Sequence, residues 1–383
     1  FSFSPATKSV AANKQPHSKA RRVEVALRPL AIATISTNAA ITVSFISALS
    51  TFIPALATNP YLAIGTGLAT IWFLSWINSL GILTSGILQL VTTILKIVPI
   101  VLIGVVGLFY IQWENFLPFN TSGTSNIAAI TATTTLTFFA FLGIECATIP
   151  SGSVTNSAAT VAKATTLGTL IATVVYILST VSIMGMIPAA QLKTSVTPFA
   201  DAAVLIWGHG AAYWVSAGVA IAAFGALNGY ILIQGQLPFA IAKDKLFPTI
   251  FMQLNSKGIP VLGVVISSVF VSVLMCMNYT KGLVDQFKFL MLMTTSTILI
   301  PYIFCTASYL IMRFKLPFQS SKYLALAILL AALTFIFCLW LMIGLGQETV
   351  FWGFFLTMSS VPIYVFAVWK REKTEINSTF SQP

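Results

Sequence analysis

The stretch FFAFLGIECATIPSG runs from Phe138 to Gly152. It lies in a long apolar region, yet it carries a carboxylate, Glu145, with Gly143 before it and Pro150 after it. A charge at the centre of a bilayer costs at least about 2.5–3.5 kcal/mol on insertion scales, so such a group faces a cavity or a partner. Gly143, Thr148, Pro150, Ser151 and Gly152 all lower helix continuity. A broken helix at membrane depth is tolerated only where it lines a cavity or is buried in protein. Many transporters form their binding sites from such unwound segments near the midplane. Desolvation works against the charged form of a buried carboxylate, so Glu145 is a candidate for proton exchange or for meeting a cationic substrate. The plainer alternative is packing, with Gly143 allowing close helix approach and Glu145 satisfied by a neighbouring helix.

The rest of the chain sets this stretch in a membrane. Of 383 residues, 57% are hydrophobic and only 8% charged, and the mean hydropathy is +0.91. A soluble domain carries about 25% charged residues. The expected fold class is therefore an all-α polytopic membrane protein. A span needs about 20 mostly apolar residues. Ten segments meet that need: 30–54, 61–82, 86–111, 127–150, 164–187, 207–235, 259–278, 286–311, 323–345 and 349–369. This divides the chain into a basic polar segment at 1–29, a transmembrane domain at 30–370 and a tail at 371–383.

The basic residues give an orientation. Of the 20 Lys and Arg, 16 fall on the side that holds both termini, and only Lys193, Lys281 and Lys288 fall on the other. Basic residues favour cytoplasmic loops, so both termini are expected in the cytoplasm. The remaining one, Lys96, lies inside the third apolar segment, the only base to do so. A buried lysine can lose its proton near neutrality, which makes Lys96 a second candidate for proton coupling. The net charge of +11 is better read through this loop placement than as a sign of nucleic-acid binding.

Several signals point away from other functions. The four cysteines, Cys146, Cys276, Cys305 and Cys338, all lie in apolar segments without C-x-x-C spacing, and there are only two histidines. A zinc site or a disulfide framework is not expected. Phosphate-loop patterns, paired catalytic carboxylates and Ser/His/Asp constellations are missing, so neither an enzyme nor a cofactor is expected. His209, in the external WGHG, reads as a solvated or interfacial residue. The N-x-S/T matches at Asn120, Asn278 and Asn377 are of the kind that chance produces in polar loops.

Further stretches carry a resemblance. FLGIECATIPSG, YILSTVSIMGMIPAAQL, SVTPFADAA, GALNGYILIQGQLPFAIAKDKLFPTIFMQLNSKGIPVLG and IPYIF resemble, in order and spacing, the bacterial basic amino-acid/polyamine antiporters. These belong to the amino acid–polyamine–organocation superfamily. The nearest group is the arginine/agmatine exchangers, with lysine/cadaverine and ornithine/putrescine exchangers beside it. The resemblance covers roughly residues 31–370. It implies a LeuT-type inverted-repeat fold and transport of amino acids, amines and protons across a bacterial inner membrane. It also leaves room for a homodimer. The ten spans correspond to helices three to twelve of the family's twelve, which implies that the first two are absent. The family's first helix is broken and binds the substrate carboxylate through backbone N–H groups. Residues 1–29 hold nothing of that kind, and they are open to three readings: a disordered tail, a transit-like segment, or a sequence disrupted upstream.

The resemblance also assigns roles. Phe139 takes the place of the aromatic that faces the substrate in the sixth helix. Ala140 stands where the arginine exchangers have Ser, and Leu142 where they have an apolar contact, with Gly143 in the same unwound segment. Glu145 matches a glutamate tied to proton sensing. Tyr230 replaces the stacking Trp of helix eight, Thr294 is the helix-ten hydroxyl and Tyr302 a nearby tyrosine. Asn38 matches an asparagine on the guanidinium side. The family's tyrosine at the start of that helix falls at Leu30. A Trp face holds a guanidinium better than Phe or Tyr does, so arginine itself is in doubt as the substrate. Lys96 resembles the fifth-helix lysine of proton-coupled symporters. Three functions follow from this. The first is exchange of a basic amino acid for its decarboxylated amine, the second proton-coupled symport through Lys96, and the third a remnant that transports nothing.

Overall fold

The computed structural model describes residues 15–80, 82–144, 156–243, 247–277, 282–314 and 321–380. Glu145 and Pro150 lie outside them, and so does the Lys96 side chain. Eleven principal helices carry the fold, and no strand occurs among the described residues. They are α1 Gln15–Leu49, α2 Pro60–Ser79, α3 Ile82–Gly107, α4 Asn126–Phe138, α5 Ser157–Met186, α6 Pro198–Trp207, α7 Gly210–Lys243, α8 Val261–Met277, α9 Leu283–Phe314, α10 Ser321–Gly344 and α11 Gln347–Phe380. All but α6 correspond to the ten apolar segments. Six contain stretches long and apolar enough to cross a membrane: Ile32–Leu49, Pro60–Ser79, Ala159–Met186, Gly210–Lys243, Leu283–Phe314 and Lys322–Gly344. Shorter apolar helices include Ile97–Tyr110, Asn126–Phe141 and Val261–Met277. The protein is a multi-pass helical membrane protein.

Helix starts follow local chemistry. Asn59 caps α2, its side chain accepting from the Tyr61 and Leu62 N–H groups at 3.0 and 3.2 Å, with Pro60 in the first turn. Such a cap satisfies donors that have no partner inside the helix, and proline costs nothing there. Ser125 caps α4 in the same way through Ala128 N–H at 3.3 Å. Helix α6 falls in what the sequence suggests is a loop. It has Pro198 at its start and Asp201 in its first turn, where an acid complements the helix dipole. Helix α1 begins fifteen residues before the expected span, and α11 runs on to Phe380. Both extensions carry several Glu, Lys and Arg residues, which are good helix formers, so each continues an apolar helix.

The helices pack in a recognisable pattern. Helix α1 packs most extensively against α9 and α7, and α7 packs in turn against α3. Exchanging α1 with α7, α2 with α8 and α3 with α9 reproduces most of this packing: α1 on α9 becomes α7 on α3, and α1 on α8 becomes α7 on α2. An internal inverted repeat leaves this trace. The α1–α8–α9 side holds an apolar core that includes Ala39, Val43, Ile46, Met275 and Leu290. The outward faces of α5 and α10 expose Leu170, Val174, Ile177, Leu329, Leu333 and Ile336, as lipid-facing helices do.

Close approach between helices depends on small residues. A Cβ on Gly225 of α7 would stand 2.1 Å from Thr92 Oγ1 of α3. Polar side chains join the helices across the seam between the repeats. Asn78 Nδ2 of α2 donates to Asn228 Oδ1 of α7 at 3.0 Å, and both residues are fully buried. Such bonds hold helices together where lipid supplies no hydrophobic drive.

Candidate functional site

The helix carrying the decisive stretch stops early. Helix α4 ends at Phe138, and Phe139–Phe141 form one tighter 3-10 turn. Leu142 is then extended, with φ −73° and ψ 147°, and Gly143 adopts φ +97°. Three rings anchor this turn to three different helices. Phe138 meets Tyr302 of α9 edge-on at 6.2 Å, and Phe337 of α10 at 6.0 Å. Phe139 meets Phe287 of α9 edge-on at 6.2 Å. Phe141 meets Tyr176 of α5 edge-on at 5.6 Å. Edge-on aromatic pairs each add about 0.5–1.5 kcal/mol beyond simple burial, so the break is firmly held.

Tyr230 of α7 closes over the break. Its hydroxyl donates to the Leu142 carbonyl at 3.3 Å. That carbonyl lies beyond the helix end, where the backbone has no intrahelical partner to offer it. A Cβ on Gly143 would sit only 2.1 Å from the same hydroxyl oxygen. The positive φ and the Tyr230 ring therefore both require glycine here. One turn further along α7, Gln234 Oε1 accepts from Asn38 Nδ2 of α1 at 2.6 Å. Residues four apart share a helix face, so Asn38 and the Tyr230–Leu142 contact meet on one side of α7.

The structure thus gathers Phe139, Leu142, Gly143 and Tyr230, with Ala140 exposed in the same turn and Asn38 one helical turn away. Thr294 is fully buried, and its hydroxyl donates to the Leu290 carbonyl at 2.8 Å. It lies two turns from Phe287 on the same face of α9. Tyr302 meets this group through Phe138. It packs on Phe138 within a cluster of Leu299, Cys338, Leu341 and Leu345 between α9 and α10.

A cavity of about 480 Å³ lies between α1, α6, α7 and α9, linked to the break, among the described residues, only through Phe287. Ser44 and Ser47 of α1, Pro198 and Phe199 of α6, Ser216 of α7 and Phe287 of α9 contribute to its lining. Phe287 thus stands between this space and Phe139. The segment leading into α6 is tied to α1 at the cavity wall, where Ser47 Oγ donates to the Val196 carbonyl at 2.6 Å. Asp201 accepts a short hydrogen bond from Ser195 at the start of α6. Phe287 and Gln234 were not singled out from the sequence. Their signals were present in the spacing: Phe287 precedes Thr294 by seven residues, and Gln234 follows Tyr230 by four.

A bundle with repeat-like packing, one span broken under an aromatic side chain and polar side chains buried between the repeats has the architecture of a membrane transporter. The chain belongs to the amino acid permease family, which matches it over residues 26–368. It is 32% identical over 239 residues to a cadaverine/lysine antiporter of Escherichia coli strain K12, covering 62% of this chain and 54% of that protein. It is 28% identical over 256 residues to an arginine/ornithine antiporter of Pseudomonas aeruginosa, covering 64% and 53%. With the putrescine transporter PotE of Haemophilus influenzae it shares 24% identity over 340 residues, covering 88% and 78%. The chain spans about half the length of the first of these relatives.

Proposed function

We propose that the protein exchanges a basic amino acid for its decarboxylated amine across a bacterial inner membrane by alternating access. The observation that carries this reading is the end of α4 at Phe138, followed by extended backbone under the Tyr230 hydroxyl. Unwound backbone inside a bundle offers N–H and C=O groups to a polar substrate, which an intact helix cannot do. The relatives that exchange amino acids and amines support the same substrate class. Phe139 and Tyr230 would cover the cation from two sides, with Asn38 and Thr294 lining the pocket. An aromatic face attracts a cation by about 0.5–2 kcal/mol, more as water is excluded. Glu145, in the segment beyond Gly143, would couple protonation to the rearrangement. The excess of basic residues on one side of the ten spans supports cytoplasmic termini.

In vesicles loaded with unlabelled cadaverine or agmatine, external radiolabelled lysine or arginine should accumulate several-fold faster than in empty vesicles. Equal uptake would overturn exchange and favour the second reading, proton-coupled symport. That reading rests on Lys96, a basic residue within α3. Glu145→Ala should flatten the pH dependence of transport without preventing insertion. An unchanged pH profile would reduce Glu145 to a packing residue.

A further inference from the structure

A buried hydrogen-bond chain runs from Asn38 of α1 through α7 and α8 to α2, and proton counting gives it a direction. Asn38 Nδ2 donates to Gln234 Oε1 at 2.6 Å, and Gln234 Nε2 donates to Ser268 Oγ of α8 at 2.8 Å. Ser268 and Ser75 of α2 share a hydrogen bond at 2.7 Å, and Ser75 Oγ donates to the Ile71 carbonyl at 2.8 Å. All four side chains are at most 2% exposed. At the other end, Asn38 Oδ1 has no hydrogen-bond partner, alone among the buried side-chain polar atoms of the described residues.

Proton counting sets the direction. Each serine has a single hydroxyl proton. Ser75 spends its proton on the Ile71 carbonyl, so Ser268 must donate to Ser75. Ser268 can then only accept from Gln234, which must turn its amide nitrogen toward α8. That leaves the Gln234 oxygen facing Asn38, which must answer with its own nitrogen. The group left over at the head of the chain is an oxygen. In the reverse order both amides would be rotated and Ser75 would donate to Ser268. The Ser75–Ile71 bond would be lost, and two Asn38 N–H donors would be buried without an acceptor. Orphaned donors are rarer and costlier than an under-used carbonyl oxygen.

We infer that Gln234, held by Ser268 and Ser75, is a positioning residue that sets the hydrogen-bond polarity of the site. It keeps Asn38 with an acceptor free, so the site takes an N–H-rich cationic head group and rejects a neutral one with an oxygen in that place. This deepens the transport reading and rests on it, since Asn38 is taken to line the pocket that holds the cation. Gln234 acts through Asn38 and need not touch the substrate. A site whose buried acceptor is left unpaired by the wrong ligand discriminates strongly. Neither Ser75 nor Ser268 stands out in a scan for charged or aromatic site residues, because each is a small polar side chain in an apolar span.

The test is equilibrium binding to the full-length protein in detergent, with arginine against citrulline and lysine against norleucine as cation–neutral pairs. The wild type should favour the cation of at least one pair. In Gln234→Leu the Asn38 amide is free to rotate, and the cation-to-neutral ratio should fall by about tenfold, the worth of one charge-assisted hydrogen bond. Ser75→Ala, on another helix and three hydrogen bonds along the chain from Asn38, should lower the ratio in the same direction but less. Asn78→Ala removes a buried bond between α2 and α7 that does not belong to the chain, and should leave the ratio where it was. A Gln234→Leu protein that binds with the wild-type ratio would overturn the inference. So would an Asn78→Ala protein whose ratio falls as far as that of Ser75→Ala, since packing alone would then suffice. If Gln234→Leu does not fold, Ser75→Ala and Asn78→Ala decide by themselves. A wild type that binds neither cation would overturn the transport reading instead.

Discussion

At Gly143 two independent constraints coincide. The backbone has φ +97°, and the Tyr230 hydroxyl occupies the place of a β-carbon. Either alone would disfavour a side chain, and together they tie the break in α4 to the residue that covers it. Gly143→Ala should therefore displace Tyr230 or force the segment out of its left-handed conformation, a strain of about 1–3 kcal/mol. We expect exchange to fall at least tenfold while insertion into the membrane is retained. Transport assayed beside membrane-fraction abundance checks this, and wild-type exchange in the variant would contradict it. The resemblance marked Tyr230 as the counterpart of the family's stacking aromatic. Its hydrogen bond to the Leu142 carbonyl was not legible, because that bond joins residues 88 positions apart. Tyr302, marked by the resemblance alone, packs edge-on against Phe138 at the end of α4, a contact that no pattern in the sequence could reveal.

The helices themselves were the most legible part of the sequence, because apolar length sets a membrane span almost by itself. The ten segments reappear, most with ends shifted by a few residues; α4 stops twelve residues short, α5 starts seven earlier, α7 runs eight further, and α1 and α11 extend into charged sequence that favours helix. Helix α6 was hidden because ten residues are too few to register as a span. What the sequence could not reveal was which faces meet. That depends on positions such as Gly225, where α7 and α3 approach so closely that a Cβ would lie 2.1 Å from Thr92 Oγ1. Gly225→Val should push these helices apart and lower the thermal unfolding midpoint in detergent by several degrees. Overpacking of this kind typically costs about 1–3 kcal/mol. A midpoint equal to that of the wild type would show that the α3–α7 contact is looser than the structure has it.

For the whole molecule, the repeat-like exchange of α1–α3 with α7–α9 provides two similar packing units around the break. Transport by rocking requires two such units and a site between them. Under the proposed transport, the cavity of about 480 Å³ at α1, α6, α7 and α9 would be the approach to the site from one side, with Phe287 between it and Phe139. Substrate bound at the unwound segment should shield it from that approach. The direct measurement uses a Cys-free background carrying Ala140→Cys, an exposed position in the same turn as Phe139. In proteoliposomes, a membrane-impermeant thiol reagent should label this cysteine, and saturating lysine or arginine should slow the labelling several-fold while norleucine does not. Labelling at the same rate with and without the cations would contradict the placement of the substrate at the break in α4.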